Sequence, residues 1–112
     1  MSARYVLYKH DRNTQPYHWV LKAPNGETIL TSETYVSEAG ALNGIRSAQV
    51  NCKADANYKR LTARNGSPYF TLNSPDNGQV IGVSEMYSTT QARDNGIESV
   101  KVNGTTSTIV RG

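Results

Sequence analysis

The sequence contains a single cysteine, Cys52, so no disulfide can form within the chain. No run of apolar residues approaches the roughly 20 that are needed to span a bilayer. The N-terminus, from Met1 to Tyr5, lacks the apolar segment of a signal peptide. These features predict a cytoplasmic protein of bacterial type without a membrane partner, in which residues 1–112 form one domain.

The motifs of common enzyme active sites are also missing. No Gly-x-Ser-x-Gly, phosphate loop or dinucleotide fingerprint is present. The two histidines, His10 and His18, lie at no metal-ligand spacing to each other or to Cys52, and Cys52 has no nearby base in the sequence. We therefore predict no catalytic residue, no metal site and no cofactor. An unrecognised enzyme stays open as an alternative, which a strongly shifted pKa at Glu33 or Glu85 would support.

Basic and acidic residues are nearly balanced, since the net charge is only +3. The exception is the segment between Arg46 and Arg64, where five basic residues accompany a single acidic one, Asp55. Alternation along a strand would place Tyr58, Arg60, Thr62 and Arg64 on one face, which, if it is free of helices, suits single-stranded nucleic acid. The alternative interpretation is that these basic side chains are simply exposed to solvent. The alternative nucleic-acid patch consists of Arg46, Tyr58, Lys59, Arg60 and Arg64.

What the sequence does contain is an internal repeat. A shift of 52 residues aligns residues 25–51 with residues 77–103 without a gap, and 12 of these 27 positions are identical. Chance would give roughly one or two identities. A weaker upstream match sets Pro16-Tyr17 on Pro68-Tyr69, and the repeats span about 4–56 and 57–110. The identical positions are Asn25, Gly26, Ile29, Ser32, Glu33, Tyr35, Asn43, Gly44, Ile45, Ser47, Val50 and Asn51, each with its copy 52 residues later.

Each repeat predicts three strands followed by a helix. Hydrophobic alternation and β-prone residues mark the strands, and a capping residue followed by a period near 3.6 marks each helix. Asn-Gly pairs supply the positive φ angles of tight hairpins, and Asn103-Gly104 forms the cap that ends the second helix. The predicted strands are 5–9, 17–22, 27–32, 58–63, 69–73, 79–84 and a closing 105–110; the helices run from a cap at Ser37 to about Val50, and from a cap at Ser88 or Thr89 to about Val102.

Both predicted helices contain a glycine at the edge of the apolar side, Gly44 and Gly96. Glycine within a helix costs about 1 kcal/mol relative to alanine. We expect the glycine to permit a close approach of helix to sheet, where a Cβ would clash. The order β-β-β-α, β-β-β-α, β predicts an α+β fold, a tandem duplication of a β(3)-α(-β) unit that forms a single, mostly antiparallel sheet with two helices packed on one face.

Three sequence features resemble the YegP-like family of small bacterial proteins of uncharacterised function. They are the Leu-Lys-Ala-Pro-Asn-Gly-Glu stretch at 21–27, the Ser-Glu-x-Tyr motif at 32–35 and 84–87, and the Asn-Gly-Ile-x-Ser motif at 43–47 and 95–99. The resemblance covers nearly the whole chain and implies tandem units that share one sheet and exchange their C-terminal strands. Two departures are a longer second turn at Pro75-Asp76 and Asn73 in place of Lys22. The family offers no activity to transfer.

The polar residues present in both repeats are candidate binding residues. Asn43, Ser47 and Asn51 are spaced by four and therefore lie on one side of a helix. Two interpretations stay open: a ligand surface, or side chains that satisfy backbone groups within the fold. The candidate binding residues are Glu33, Tyr35, Asn43 and Ser47 in the first repeat, and Glu85, Tyr87, Asn95 and Ser99 in the second.

The sequence thus favours a non-catalytic cytoplasmic binding or interaction domain with an unidentified protein partner or small ligand. Weak, salt-dependent nucleic-acid binding through the basic segment is one alternative, and an unrecognised enzyme is another. We expect a monomer rather than a homodimer, because two repeats in one chain can satisfy each other, although an uncovered edge strand could pair chains.

Overall fold

The computed structural model describes residues 2–11 and 14–112. Its seven strands form one sheet in the order β4-β5-β6-β3-β2-β1-β7, and every neighbouring pair is antiparallel except β1 and β7. Both helices pack on the same face, which confirms the predicted α+β architecture. The elements are β1 (Arg4–Lys9), β2 (Tyr17–Lys22), β3 (Thr28–Ser32), α1 (Glu38–Asn51), a 3-10 turn (Asp55–Asn57), β4 (Tyr58–Thr62), β5 (Pro68–Asn73), β6 (Val80–Val83), α2 (Thr90–Asn103) and β7 (Ile109–Arg111).

The two repeats build a single core. Helix α1 packs on β2 of its own repeat and on β5 and β6 of the other, and α2 packs on β5 and reciprocally on β2 and β3. Trp19 and Phe70 occupy equivalent places beneath the helices, and both are fully buried. Because each helix covers strands of both repeats, neither repeat can bury its apolar face alone.

Two buried tyrosines tie each helix end to the opposite repeat. The Tyr5 hydroxyl on β1 donates to the carbonyl of Gly104, at the end of α2, at 2.6 Å. The Tyr58 hydroxyl on β4 donates to the carbonyl of Cys52, at the end of α1, at 2.5 Å. Burial raises the pKa of both hydroxyls above the ordinary range, with Cys52 adding to the shift. These bonds satisfy carbonyls that a helix end leaves without a partner.

Strands β3 and β6 meet at the centre of the sheet, where the pseudo-twofold axis relates the two repeats. The equivalent positions beside this axis are Leu30 and Gly82, which differ in size. A Cβ added at Gly82 would lie only 2.7 Å from Cγ of Leu30. One leucine therefore fills the space that the two equivalent positions share.

The hairpin turns form at the predicted Asn-Gly pairs, but only the glycines adopt positive φ. Gly26, Gly66 and Gly78 have φ of 88°, 89° and 73°, and no described non-glycine residue has a positive φ. The prediction that both residues of each pair supply positive φ was wrong. In each turn the asparagine side chain instead accepts a hydrogen bond from the backbone. The Oδ1 atoms of Asn25, Asn65 and Asn77 accept from the backbone N–H two residues ahead at 3.0 Å.

The end of α2 lies at Asn103 with Gly104 as its cap, as predicted. Gly104 is the C-cap residue, but its φ of −68° lies in the right-handed region. The glycine is required by packing instead, since a Cβ there would lie 2.8 Å from Sγ of Cys52 and 2.8 Å from the Val100 carbonyl oxygen. Thr89, one of the two predicted caps, accepts the Ala92 amide at 3.0 Å.

The closing strand is shorter than predicted and begins at Ile109. The preceding residues bridge from α2 to β1, and Thr106 is pinned there: its hydroxyl donates to Ala3 and its carbonyl accepts from Gln49. β7 then pairs parallel to β1, so the C-terminal strand of the second repeat covers the edge of the first. No separate strand follows α1 among the described residues; the 3-10 turn leads directly into β4, whose outer edge is open.

The weak upstream match between the repeats is out of register by one residue. Carbonyls of Tyr17 and Pro68 play the same role, accepting the amides of Tyr35 and Tyr87. Tyr17 is therefore equivalent to Pro68, not to Tyr69. The extra residue of the second repeat lies in its longer β5–β6 turn, where Asn73 donates to the carbonyl of Gly78 much as Lys22 donates to that of Gly26.

Candidate functional site

Two open clefts lie where each helix meets a hairpin of the other repeat. The first cleft, of about 230 Å³, lies between α1 and the β5–β6 hairpin. The second cleft, of about 270 Å³, lies between α2 and the β2–β3 hairpin. Their walls correspond under the shift of 52 residues, so the pseudo-twofold axis relates the two clefts. The shared positions include Tyr35, Asn43, Ser47 and Ile81 in the first cleft, and Tyr87, Asn95, Ser99 and Ile29 in the second.

The structure brings nearly all the candidate binding residues to these clefts. Glu85 is the exception, because its side chain does not line the second cleft. Their grouping in space is an observation, whereas their role in binding stays a prediction. The candidates that line a cleft are Glu33, Tyr35, Asn43 and Ser47 in the first, and Tyr87, Asn95 and Ser99 in the second.

The opposite wall of each cleft was missed by the sequence analysis. It consists of turn residues from the other repeat, such as Asn77 and Gln79 in the first cleft and Asn25 and Glu27 in the second. The repeat itself preserved both asparagines, but a turn role explained them fully. Only the helix-over-hairpin packing reveals that they close a cleft.

Tyr35 and Tyr87 explain the helix glycines. A Cβ at Gly44 would overlap the Tyr35 hydroxyl and lie 2.7 Å from its Cζ, and a Cβ at Gly96 would overlap Tyr87 in the same way. The expected close approach is therefore real, but its partner is the tyrosine ring of the Ser-Glu-x-Tyr motif as well as the sheet residues Trp19 and Phe70. The helix glycine therefore leaves the space that the tyrosine side chain occupies.

Burial raises the pKa of both cleft tyrosines. At Tyr35 the indole N–H of Trp19 opposes the shift and the charge of Glu33 adds to it. The Trp19 N–H lies close to the Tyr35 hydroxyl, yet no acceptor in the described chain meets hydrogen-bond geometry with it. At Tyr87 the charges of Glu85 and then Glu27 add to the effect of burial. Burial is thus the main cause of both shifts, and nearby carboxylates add to it.

Several of the residues kept in both repeats have a purely structural role. The Ser32 hydroxyl bonds to two backbone groups. Its Oγ accepts a hydrogen bond from the Trp19 backbone N–H at 2.9 Å and donates one to the Glu33 carbonyl at 2.6 Å. Asn51 donates to the carbonyl of Ser47 at 2.9 Å, within the last turn of α1. Ser84 and Asn103 repeat these bonds in the second half. For these residues the backbone-satisfying interpretation is correct.

Other kept residues have no such role. The side chains of Glu33 and Asn43 make no hydrogen bond or ion pair within the described residues, and neither do those of Glu85 and Asn95. Val50 and its copy Val102 are 73% and 74% exposed, and lie on the same helix sides as Ser47 and Ser99. These positions survived in both halves although the fold makes no use of their side chains.

The basic segment does not provide the helix-free stacking face that its alternation suggested. Tyr58 faces the helices, where its ring is buried and cannot stack on a base. Arg60 lies on the same face and donates to Asp55 at 3.1 Å and Asp94 at 3.2 Å. Together Arg60 and Lys101 lower the pKa of Asp55 to about 2. The predicted alternation is correct, but this face of the strand is the one that carries helices, and Lys59 points to the other side.

Cys52 is fully buried at the end of α1. Burial raises the pKa of its thiol, which outweighs the opposing effect of Lys53. A buried thiol is a poor nucleophile because the reactive species is the thiolate. Its position against Gly104 fits the packing role that the sequence suggested.

The two histidines form a hydrogen-bonded pair on the helix-free face of the sheet. His10 Nε2 and His18 Nδ1 are 2.9 Å apart, and the Tyr8 ring stacks on His18. One ring donates and the other accepts, so the pair requires at least one neutral imidazole. Burial lowers the pKa of His18, and the charge of His10 lowers it further.

Acidification is therefore expected to destabilise the protein through His18. The unfolded chain takes up this proton near an ordinary pKa of about 6.5, whereas the folded chain resists it. The stabilising effect is complete above that value and is lost as pH falls through the lower pKa of the folded state. Urea denaturation at several pH values between about 7.5 and 5.5 measures the loss, and His18→Gln should make the slope shallower. An unchanged slope in that variant would show that another group titrates.

Within residues 2–11 and 14–112, no group of three or more His, Cys, Asp or Glu side chains could hold a metal ion. In the same part of the chain no helix has the length and apolar character required to cross a bilayer.

Comparison with known proteins identifies relatives along nearly the whole chain. A UPF0339 protein of Bordetella pertussis is 62% identical over 103 residues, which cover 92% of this chain and 89% of the relative. The UPF0339 protein YegP of Escherichia coli is 53% identical over 109 residues, which cover 97% of this chain and 96% of the relative. A UPF0339 protein of Shewanella oneidensis is 51% identical with the same coverage.

Two solved structures share the fold. The solution NMR structure of E. coli yegP, described as a protein of unknown function, has a TM-score of 0.90 and 45% identity, covering 100% of this chain and 94% of its own. The NMR structure of the Shewanella oneidensis UPF0339 protein has a TM-score of 0.87 and 49% identity, covering 99% of this chain and 92% of its own. Neither description assigns an activity.

The domain of unknown function DUF1508 matches the chain twice, at residues 11–58 and 63–110. The two matches are related by the same shift of 52 residues as the internal repeat, and the YegP proteins among the relatives confirm the predicted resemblance. The chain therefore belongs to the DUF1508 family, as a tandem member with two copies of the domain.

Proposed function

We propose that this protein is a non-catalytic binding domain whose two equivalent clefts receive side chains of a polypeptide partner. The observation that carries the proposal is that Glu33 and Asn43, with their copies, were retained in both repeats without any bond inside the described chain. A folding requirement explains Ser32 and Asn51 but not these residues. A partner that contacts their exposed side chains would explain them.

A polypeptide partner is favoured over a small ligand because the kept surface extends beyond the clefts. Val50 and Val102 continue along the helices past Ser47 and Ser99, and each is about three-quarters exposed. Contact with an apolar part of the partner would account for an exposed valine that both repeats keep. We place the protein in the cytoplasm, which fits the free, buried Cys52 thiol.

We further propose that the protein acts as a monomer. β7 covers the outer edge of β1, and the open edge of β4 carries Lys59 and Arg60. Charged residues on an edge strand oppose pairing with another sheet. Nucleic-acid binding is not part of the proposal, because Tyr58 is buried and Arg60 is paired with Asp55 and Asp94.

Replacement of the cleft asparagines tests this proposal by separating binding from folding. The double variant Asn43→Ala, Asn95→Ala should keep or slightly raise the free energy of unfolding, by up to about 0.5 kcal/mol per site, because alanine favours helix and no bond is lost. Peptides selected by the wild-type protein from a displayed random library should lose most of their affinity for this variant. Urea denaturation and fluorescence anisotropy measure the two effects.

Lys59→Ala, on the helix-free face of the sheet, is the matched control and should bind the selected peptides as the wild type does. A library from which the wild type selects nothing would overturn the proposal. Selected peptides that bind the double variant equally well would do so too. Turnover of a substrate by the purified protein would contradict the non-catalytic role.

A further inference from the structure

Unpaired acidic side chains gather around the two clefts, although the protein as a whole is basic. The ion pairs of the described chain use Glu38, Asp55, Asp94 and Glu98. Glu27, Glu33 and Glu85 take part in none of them. Glu33 lines the first cleft beside α1 of its own repeat, whereas Glu27 lines the second cleft on the β2–β3 hairpin wall that faces α2. Each cleft therefore holds one free carboxylate at its surface.

Among the described residues that line the two clefts there is no arginine or lysine to neutralise these carboxylates. Burial raises the pKa of both cleft tyrosines; the charge of Glu33 adds to the shift at Tyr35, and the charges of Glu85 and Glu27 add to that at Tyr87. An anionic group such as phosphate would meet a repulsive potential at either cleft. A cation would be attracted.

We infer that each cleft binds a guanidinium group, as presented by an arginine side chain of the partner. The inference rests on the proposed binding function and names the chemistry of the group bound. A guanidinium donates in a planar fork that matches a carboxylate, and it stacks on aromatic rings. Each cleft offers a carboxylate, an exposed asparagine carboxamide and a tyrosine: Glu33, Asn43 and Tyr35 in the first, and Glu27, Asn95 and Tyr87 in the second.

The size of the clefts supports a single side chain as the occupant. Pockets for drug-sized ligands measure roughly 300–1,000 Å³. The two clefts, at about 230 and 270 Å³, fall below this range and are open to solvent on one side. A group that enters from a larger partner molecule fits this shape better than a free ligand that must be enclosed.

An isosteric pair of probes tests the inference with the intact protein. Nα-acetyl-arginine amide and Nα-acetyl-citrulline amide differ in the charge of the terminal group but hardly in shape. At about 20 mM salt, where charge interactions are weakly screened, the arginine probe should shift the backbone amide NMR signals of Asn43, Gly44, Asn95 and Gly96. Because the citrulline probe lacks the charge that strengthens hydrogen bonds to a carboxylate, we expect its binding to be weaker by about tenfold or more.

Glu33→Gln should abolish the shifts at the first cleft while leaving those at Asn95 and Gly96, and Glu27→Gln should do the reverse. Equal binding of the two probes would overturn the guanidinium inference and leave a cleft that binds neutral groups. Absence of shifts with both probes, together with successful peptide selection, would also overturn it while the proposed function stands. Failure of the peptide selection itself is the separate result that removes the proposed function.

Discussion

Alanine in place of Gly44 or Gly96 is expected to lower the free energy of unfolding by about 1–3 kcal/mol, the usual cost of overpacking a well-filled site. The sign is informative because helix propensity alone would stabilise either variant by about 1 kcal/mol. The added Cβ would overlap the hydroxyl of Tyr35 or Tyr87, and it would lie 2.7 Å from the ring carbon that bears it. Urea denaturation of each single variant, compared with the wild type, measures the loss.

A second substitution identifies the tyrosine as the cause. Tyr35→Phe removes the atom that overlaps most, so the double variant Gly44→Ala, Tyr35→Phe should recover part of the stability lost by Gly44→Ala. Because the two residues are in contact, their effects should be non-additive. Purely additive effects would show that the need for glycine at position 44 does not come from its contact with Tyr35. A stabilised Gly44→Ala variant would contradict the contact altogether.

Ser32→Ala and Ser84→Ala are each expected to cost about 1–3 kcal/mol, the penalty for leaving a buried polar group without its partner. The Trp19 amide would lose its acceptor in the first variant, and the Phe70 amide would lose the equivalent one in the second. Both serines are buried within the sheet, so water cannot readily take the place of the hydroxyl. Thermal and urea denaturation of the single variants check the expected losses.

Ser88→Ala is the matched control, since this serine is exposed and its side chain makes no hydrogen bond within the described residues. Its stability should stay within about 0.5 kcal/mol of the wild type. Equal behaviour of Ser32→Ala and Ser88→Ala would mean that the serine of the Ser-Glu-x-Tyr motif is not a structural residue. It would then have to be considered with Glu33 and Asn43 as a possible contact for a partner.

Local signals in the sequence were sufficient for most of the secondary structure. Ser37 caps α1 as predicted, and Thr89 caps α2, because a side-chain oxygen followed by an apolar helical period marks a helix start wherever it occurs. The hairpin turns were equally readable from Asn-Gly pairs. The internal repeat predicted the duplicated architecture, since two similar sequences of this length adopt similar folds.

The features that depend on distant contacts could not be read in this way. Alternation predicted that Tyr58 and Arg60 share a face, but it contains no information on which face the helices cover. The clefts could not be predicted for the same reason. Asn77 lies near α1 because the β5–β6 hairpin packs against the helix of the other repeat, and the sequence alone does not show that packing. Likewise the partner of Gly44 is known only once Tyr35 is placed above Trp19.

Leu30 and Gly82, the equivalent but unequal residues at the centre of the sheet, disfavour the assembly of either half with a copy of itself. If two copies of the first half assembled about the same axis, two leucines would compete for the space that Leu30 now fills alone. Two copies of the second half would bring Gly82 to both positions and leave a void there. The contact of Leu30 with Gly82 therefore favours pairing of the two unlike halves over pairing of either half with a copy of itself.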